Sequence, residues 1–186
     1  MTPEGARLVL ASRSPQRRAI LEQLGVEFDV VPADVEELEE GDPVAVAEEN
    51  ARRKAAAIAA RPPDLVVGVD TVVALDGRIY GKPADEEDAA HTLRTLGGRT
   101  HEVISGLAVG EEVGHSVTRV TFRPVTDDLV RWYVSTGEWR GRAGGYAIQG
   151  KGAALVTAID GDYLNVVGLP VAQLLARIPG LVGGAR

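Results

Sequence analysis

The sequence contains no cysteine, which excludes disulfide bonds, thiol nucleophiles and thiolate-bound zinc or iron–sulfur centres. Histidine is scarce too: only His91, His101 and His115 are present, and no pair of them has the spacing of a zinc-binding helix. A metal, if the protein uses one, is therefore expected to be a hard ion bound by carboxylate and phosphate oxygens. Aromatic residues make up only 4% of the chain, which disfavours a stacking platform for single-stranded nucleic acid.

Long apolar runs are also missing. No stretch approaches the roughly 20 apolar residues that cross a bilayer, and the first apolar run, 8–11, is too short for the core of a signal peptide. We therefore predict a cytoplasmic protein with no membrane partner. Basic residues are outnumbered, with 20 Lys and Arg against 27 Asp and Glu, and the formal net charge is −7. Because binding to a nucleic-acid backbone calls for a basic face, no nucleic-acid polymer is expected as a partner.

What the chain does have is the composition of an ordinary globular protein, with 45% hydrophobic and 25% charged residues among 186, which predicts a single domain over 1–186. Apolar periodicity and turn residues predict helices over 15–24, 43–60, 85–96, 127–135 and 170–178. They predict strands over 7–11, 26–31, 65–75, 78–80, 101–109, 116–122 and 153–159, and a glycine-rich loop over 137–152. This alternation favours an α/β or α+β domain with a mixed sheet.

A polar motif, SRSPQRR over 12–18, lies where the first strand hands over to the first helix. Ser14 is a predicted N-cap and Pro15 the first helical residue, so free backbone N–H groups and the positive end of the helix dipole favour an anion there. Cations such as Arg17 in the first turn point to phosphate, since a plain helix carries acids at that place. The alternative is a capped helix with surface arginines.

Asp70 interrupts the valine-rich apolar run over 65–75, which is predicted to be a central strand buried on both faces. A carboxylate there costs several kcal/mol unless it is paired, and no cation lies beside it in the sequence. The functional interpretation is a metal ligand or general base. The alternative is a strand-end aspartate bound to neighbouring backbone.

Other charged residues fit the same chemistry. Eight acids and no base lie between Asp34 and Glu49, and this run, which includes Glu36 and Glu37, ends shortly before Lys54. Lys82 follows the predicted hairpin and is placed to return to the end of the sheet that carries Asp70. Acids that hold a divalent metal and cations that hold a polyphosphate together predict hydrolysis of a phosphoanhydride, with water attacking phosphorus.

Six motifs, in this order along the chain, resemble those of the Maf family (septum-formation-inhibitor-like proteins), which are nucleoside triphosphate pyrophosphatases. They are LASRSPQRR (10–18), NARRKA (50–55), GVDTVV (68–73), GKP (81–83), AGGYAIQG (143–150) and NVVGLP (165–170). Each is weak alone, but together they are specific and span nearly the whole chain. The resemblance implies a cytoplasmic homodimer with a mixed twisted sheet, flanking helices and two lobes around a cleft, similar to the inosine-triphosphate pyrophosphatases.

The resemblance also implies the reaction NTP + H2O → NMP + pyrophosphate with Mg or Mn as cofactor. Asp70 matches the family's catalytic residue, and it would hold the metal together with Glu37. The positions that match phosphate-handling residues are Ser12, Arg17, Lys54 and Lys82.

Three positions are implied to select the base. Thr71 and Gln149 resemble the dTTP/UTP type, which extends to modified pyrimidine nucleotides, whereas Gln16 stands where that type often carries arginine.

Two other hypotheses stay open at this point. The first is a nucleotide-binding regulator of cell division or septum formation, which predicts tight nucleotide binding without pyrophosphate release. The second is a phosphoanhydride hydrolase or nucleotidyltransferase of another family, although the chain contains no P-loop sequence.

Overall fold

A computed structural model describes residues 7–59 and 63–183. Within these ranges, seven strands form one sheet: β1 (Leu8–Leu10), β2 (Phe28–Val30), β3 (Leu65–Leu75), β4 (Arg78–Tyr80), β5 (Thr100–Val109), β6 (Glu112–Phe122) and β7 (Val156–Asp160). The strand order is β2-β1-β3-β5-β6-β7, and β4 pairs with β3 outside this path. Strand β1 is parallel to β2 and β3, and the remaining pairs are antiparallel. The predicted mixed sheet is confirmed.

The helices flank this sheet. They are α1 (Pro15–Gln23), α2 (Pro43–Ala56), α3 (Glu86–Leu96), α4 (Asp127–Ser135), α5 (Tyr163–Val167) and α6 (Val171–Arg177), with 3-10 turns at Ala143–Gly145 and Lys151–Leu155. As predicted, Ser14 caps α1 by accepting the N–H of Arg17, with Pro15 as the first helical residue. None of the helices in the two described ranges is long and apolar enough to cross a bilayer.

Most elements lie within a few residues of where the sequence pattern predicts them, and four differences stand out. Helix α2 ends at Ala56, whereas the sequence predicted an end at Ala60. Ile58 lies beyond the end of the helix and packs against the apolar cluster between α2 and the sheet. Residue 60 lies outside the described residues. Strand β6 begins at Glu112 rather than Ser116, because its pairing with β5 runs to the turn, where Val109 faces Glu112. Strand β7 begins at Val156, since 3-10 geometry precedes it and buries Leu155. The short helix α5 was not predicted.

Strand β3 organises the core. Its even-numbered side chains face α2, with Val66 in one small apolar cluster and Val72 in another. On its other face, Val67 belongs to a cluster with α1 and α6, whereas Val73 belongs to a cluster with α3 and α4. Thr71 lies on that face between these two clusters, and the division into two lobes stays a prediction.

One edge of β3 is shared by two short strands. Strand β1 pairs with residues 65–67 and β4 with 73–75, while β5 pairs with residues 67–74 along the opposite edge. Within the described ranges, residues 68–72 therefore have no strand partner on the edge that β1 and β4 share. Asp70 and Thr71 lie at this gap in the sheet.

Candidate functional site

A cleft of about 730 Å³ opens at the gap in the sheet. Its walls come from the start of α1, the acidic segment before α2, helix α2 itself, β3, the residues after β4 and the glycine-rich loop. All nine residues predicted for the site line it, namely Ser12, Gln16, Arg17, Glu37, Lys54, Asp70, Thr71, Lys82 and Gln149. The fold thus brings together positions as far apart in sequence as Ser12 and Gln149.

Helix α2 lies unusually close to the sheet, and two glycines allow this. A Cβ built on Gly106, which pairs with Asp70, would lie 2.0 Å from the carbonyl oxygen of Ala47. A Cβ on Gly68 would lie 2.2 Å from the carbonyl oxygen of Ala51. Side chains larger than hydrogen would therefore push α2 away from the strand that carries Asp70.

Asp70 is buried but not unpaired. Its Oδ1 accepts a hydrogen bond of 2.6 Å from Lys54 Nζ, and its Oδ2 accepts one of 3.1 Å from Asn50 Nδ2. Both partners project from α2, one helical turn apart, so they share a face. The sequence offered no cation beside Asp70; the structure supplies one from 16 residues upstream. The alternative of an aspartate bound only to nearby backbone is therefore wrong.

Lys54 joins two carboxylates. Besides Asp70, its Nζ lies 2.8 Å from Glu37 Oε1. The side chains of Lys54 and Asp70 are only 10% and 9% exposed, so their contact is screened less than a surface ion pair, whereas Glu37 is 38% exposed. Lys82 Nζ lies 4.0 Å from the other oxygen of Glu37 and is exposed, so it adds a mobile cation at the rim. The site thus alternates positive and negative groups across the cleft.

Arg17 is buried beside these carboxylates, and its guanidinium is held by three protein oxygens. Nε donates to the carbonyl of Gly168 at 2.8 Å, one terminal nitrogen to Ser12 Oγ at 3.0 Å, and the other to Thr71 Oγ1 at 3.1 Å. Burial lowers the pKa of Arg17 below its usual value, while the charges of Asp70 and Glu37 oppose that shift. The fixed orientation leaves further N–H groups of the guanidinium for an anionic ligand.

A divalent metal fits this donor set only together with a phosphate ligand. No group of three or more His, Cys, Asp or Glu side chains able to hold a metal ion occurs in ranges 7–59 and 63–183. Mg²⁺, however, usually takes one or two protein carboxylates and completes its shell with water and substrate phosphates. Glu37 and Asp70 could supply such a pair. Lys54 contacts one oxygen of each, the other Asp70 oxygen accepts a hydrogen bond from Asn50, and the other Glu37 oxygen lies 4.0 Å from Lys82 Nζ.

The three positions implied to select the base differ in their surroundings. Gln149 is exposed at the mouth of the cleft, and Gln16 is half-buried and accepts a hydrogen bond from Ser14 Oγ at 3.1 Å. Thr71 Oγ1 shares a hydrogen bond of 2.9 Å with Ser105 Oγ as well as its bond from Arg17. Its hydroxyl is therefore committed to the protein, whereas Gln149 has freedom to meet a ligand.

The loop that carries Gln149 is held by side chains of α4 and β5. The N–H of Ala147 donates to Tyr133 Oη at 2.9 Å, and Tyr146 Oη shares a hydrogen bond of 2.9 Å with His101 Nε2. Burial raises the pKa of Tyr133 to about 12 and lowers the pKa of His101 to about 4. Both rings are therefore neutral at physiological pH, and the loop rests on a neutral polar and aromatic layer.

Three contributors to the site were not predicted. Asn50 and Ser105 are fully buried polar residues that touch Asp70 and Thr71, and the carbonyl of Gly168 accepts from Arg17. The position of Asn50 four residues before Lys54 was the one signal available, because it puts both side chains on one helix face. The contact to Gly168 spans 151 residues and has no local signature.

Comparison with known proteins identifies the family of the chain. The family model described as Maf-like protein matches residues 7–180. The chain belongs to the Maf-like family. A dTTP/UTP pyrophosphatase from Pyrococcus furiosus is 45% identical over 181 residues, which cover 92% of this chain and 94% of that protein. One from Pelotomaculum thermopropionicum is 48% identical, covering 90% of this chain and 92% of that protein.

The similarity of this Maf-like chain extends across further relatives. A dTTP/UTP pyrophosphatase from Deinococcus radiodurans is 46% identical, covering 94% of this chain and 92% of that protein. Among solved structures, a HAM1 protein from Coxiella burnetii matches with a TM-score of 0.43 and 18% identity, covering 63% of this chain and 73% of that one. At that TM-score we draw no argument from this structure, and the family assignment rests on the sequence matches.

Proposed function

We propose that this Maf-like chain is a nucleoside triphosphate pyrophosphatase that hydrolyses dTTP and UTP to the nucleoside monophosphate and pyrophosphate. The observation that carries the proposal is the cleft in which Asp70, Lys54 and Glu37 form a continuous charge chain with the other predicted positions around it. Relatives named dTTP/UTP pyrophosphatase, similar over nine-tenths of the chain or more, support the same substrates.

In the reaction, the oxygen of a water molecule forms a bond to phosphorus while the phosphoanhydride bond between the α and β phosphates breaks. The electron pair of the broken bond leaves with pyrophosphate, and a proton of the water passes to a base. Asp70 is our candidate for that base, since it is the buried carboxylate at the sheet gap. Its bonds from Lys54 and Asn50 hold the carboxylate in one orientation, which general-base catalysis requires.

Positive groups around the cleft would bind the triphosphate. Arg17 and Ser12 lie at the start of α1, where helix N–H groups also favour an anion, and Lys54 and Lys82 lie on the other side beside Glu37. Stabilising the charge that develops on the phosphate oxygens is the largest contribution such a site makes to the rate. Mg or Mn, held by Glu37 and Asp70 with the phosphates, would supply further charge neutralisation.

Base selection is assigned to the mouth of the cleft. Gln149 has an amide that both donates and accepts, so it is able to pair with the polar edge of a pyrimidine. Thr71 acts indirectly, because its hydroxyl is bound to Ser105 and Arg17. Gln16 neighbours the Ser12 and Arg17 region, and it replaces a cation that the dTTP/UTP type often has there. The modified pyrimidine nucleotides fall within the same substrate class.

The family resemblance supports two further proposals, a cytoplasmic location and a homodimer. Size-exclusion chromatography with light scattering tests the second directly: a mass near twice 19.6 kDa is expected, and a mass near 19.6 kDa across micromolar concentrations contradicts it.

The proposed reaction is tested with purified protein and a panel of canonical and modified nucleoside triphosphates, with Mg, Mn or EDTA. We expect equal amounts of monophosphate and pyrophosphate, fastest from dTTP and UTP, and no turnover in EDTA. Release of orthophosphate would assign another hydrolase, and a requirement for an acceptor would assign a transferase. Tight nucleotide binding without any product would favour the regulator of cell division instead.

A further inference from the structure

The acidic segment between β2 and α2 carries Glu37 without regular structure to support it. Residues 31–42 are assigned to neither helix nor strand, and most of them, Glu37 included, are exposed. A carboxylate on such a segment has many positions available, yet Glu37 Oε1 lies 2.8 Å from Lys54 Nζ. Something must fix the segment against α2, because an exposed ion pair alone contributes little.

Asn50 on α2 fixes this segment by hydrogen bonds to both the backbone N–H and the carbonyl of Leu38. The N–H of Leu38 donates to Asn50 Oδ1 at 2.7 Å, and Asn50 Nδ2 donates to the carbonyl of Leu38 at 2.9 Å. The same Nδ2 donates to Asp70 Oδ2 at 3.1 Å. Asn50 is 1% exposed, so water does not compete for these hydrogen bonds.

The chemistry of the amide suits this double role. One acceptor and two N–H donors are needed at this point, and the asparagine side chain has them in one plane. A carboxylate in its place lacks the donors for Asp70 and for the Leu38 carbonyl, and an apolar residue makes none of the three bonds. Asn50 therefore satisfies a set of partners that no other side chain of its size matches.

Arg53, three residues after Asn50 on α2, holds the acidic segment on the other side of Glu37. One of its terminal nitrogens donates to the carbonyl of Glu36 at 3.1 Å. Its Nε is oriented by Glu49 at 2.8 Å, and hydrogen bonds from Arg52 and Arg53 lower the pKa of Glu49 to about 2. The backbone on both sides of Glu37 is thus bound to α2.

We propose that Asn50 is a positioning residue that aligns the two carboxylates of the site, holding Asp70 directly and Glu37 through Leu38. The inference rests on the proposed function for its kinetic consequence, whereas its structural part concerns the chain alone. Partners behind metal-binding or catalytic ligands typically change metal affinity or activity 10–100-fold when they are removed. Asn50 therefore acts on the rate of the chemical step more than on nucleotide binding, for which Arg17 and Lys82 remain in place.

Two variants separate the hydrogen bonds of Asn50 from its volume. Asn50→Leu has the same branching without the polar atoms, and Asn50→Ala removes the volume as well. In both we expect kcat for dTTP to fall about 10–100-fold while KM changes less than about threefold. Arg52→Gln is the control on the same helix, because Arg52 binds Glu49 at the exposed surface. Wild-type kinetics in Asn50→Leu would overturn the proposal.

A double-mutant cycle with Glu37→Gln tests the route through the acidic segment. If Asn50 aligns Glu37, adding Asn50→Leu to Glu37→Gln lowers kcat by clearly less than it does in the wild type. Losses that multiply fully, or a Glu37→Gln variant with wild-type kcat, would contradict this route.

A measurement without catalysis completes the test. A protease specific for glutamate should cut the chain after Glu36, Glu37, Glu39 or Glu40 about tenfold faster or more in both Asn50 variants than in the wild type and Arg52→Gln. Equal cleavage rates would overturn the structural part. If the wild type released no pyrophosphate from dTTP, the proposed function would fail, but this comparison would still decide whether Asn50 holds the segment.

Discussion

Replacing Gly106 with alanine should disable the cleft without touching any group that would meet the nucleotide. Gly106 pairs with Asp70 across the sheet, and its missing side chain lets α2 rest on the strand. An alanine Cβ would lie 2.0 Å from the Ala47 carbonyl oxygen and 2.7 Å from the Glu48 nitrogen. Since an ordinary contact begins at 3.4 Å, the helix must retreat by about 1.4 Å.

That retreat has two consequences. The short side chain of Asn50 cannot follow α2 over that distance, so its bond to Asp70 Oδ2, now 3.1 Å, would lengthen beyond about 4 Å and cease to be a hydrogen bond. Overpacking of this kind costs about 1–3 kcal/mol of unfolding free energy, which for a domain of this size lowers Tm by about 2–12 °C. A misplacement of about 1 Å near reacting groups lowers kcat by about 10²-fold.

The assay compares Gly106→Ala with Gly81→Ala for melting temperature and for pyrophosphate release from dTTP. Gly81 is the matched control for stability, because a Cβ there meets nothing within 4 Å and the residue is exposed. We expect the control to melt within about 2 °C of the wild type. A Gly106→Ala protein with wild-type Tm and kcat would refute the claim that close contact of α2 builds the site.

Two further predictions concern stability. Lys54→Met removes the cation between Asp70 and Glu37 and leaves the buried Asp70 carboxylate without an ion-pair partner. The free energy of unfolding, measured with urea, should fall by about 3 kcal/mol. An unchanged urea midpoint would contradict the pairing. His101 has its pKa lowered to about 4 by burial, against about 6.5 when unfolded. The unfolded chain therefore takes up the proton first, and this contribution to stability is complete above pH 6.5 and lost as the pH falls towards 4. Between pH 7 and 4.5 the wild type should lose about 2 kcal/mol more than His101→Phe, and parallel curves would show that His101 is not buried neutral.

The strands and helices were predictable where local signals agree. Strand β3 was predicted over its full length from a valine-rich run bounded by polar residues, and α4 from its apolar spacing. Tertiary contacts decided the rest. Helix α5 carries the β-branched pair Val166 and Val167, and Asn165 within it donates to the Val103 carbonyl and to Thr118 Oγ1. Asp162 caps the helix and Gly168 ends it, but these local signals frame only five residues, and the partners that hold Asn165 lie on distant strands.

The motifs predicted which residues line the cleft, but they did not predict the contacts among these residues. The sequence identified Asp70, Lys54 and Glu37 separately, and only the fold shows one ammonium between the two carboxylates. Thr71 was implied to select the base, which stays a prediction, and only the fold shows its hydroxyl bound to Ser105 and Arg17. Asn50 lay within a recognised motif, but its tie to Leu38 depends on how an irregular segment returns to α2.

We propose that the cleft around Asp70 cleaves the bond between the α and β phosphates of a pyrimidine triphosphate. Phosphorus NMR of dTTP incubated with the protein and Mg or Mn tests it most directly, beside the same incubation with Asp70→Asn. We expect dTMP and pyrophosphate in equal amounts, without dTDP or orthophosphate, and no products from the folded variant. Formation of dTDP and orthophosphate, or undiminished pyrophosphate from Asp70→Asn, would contradict it.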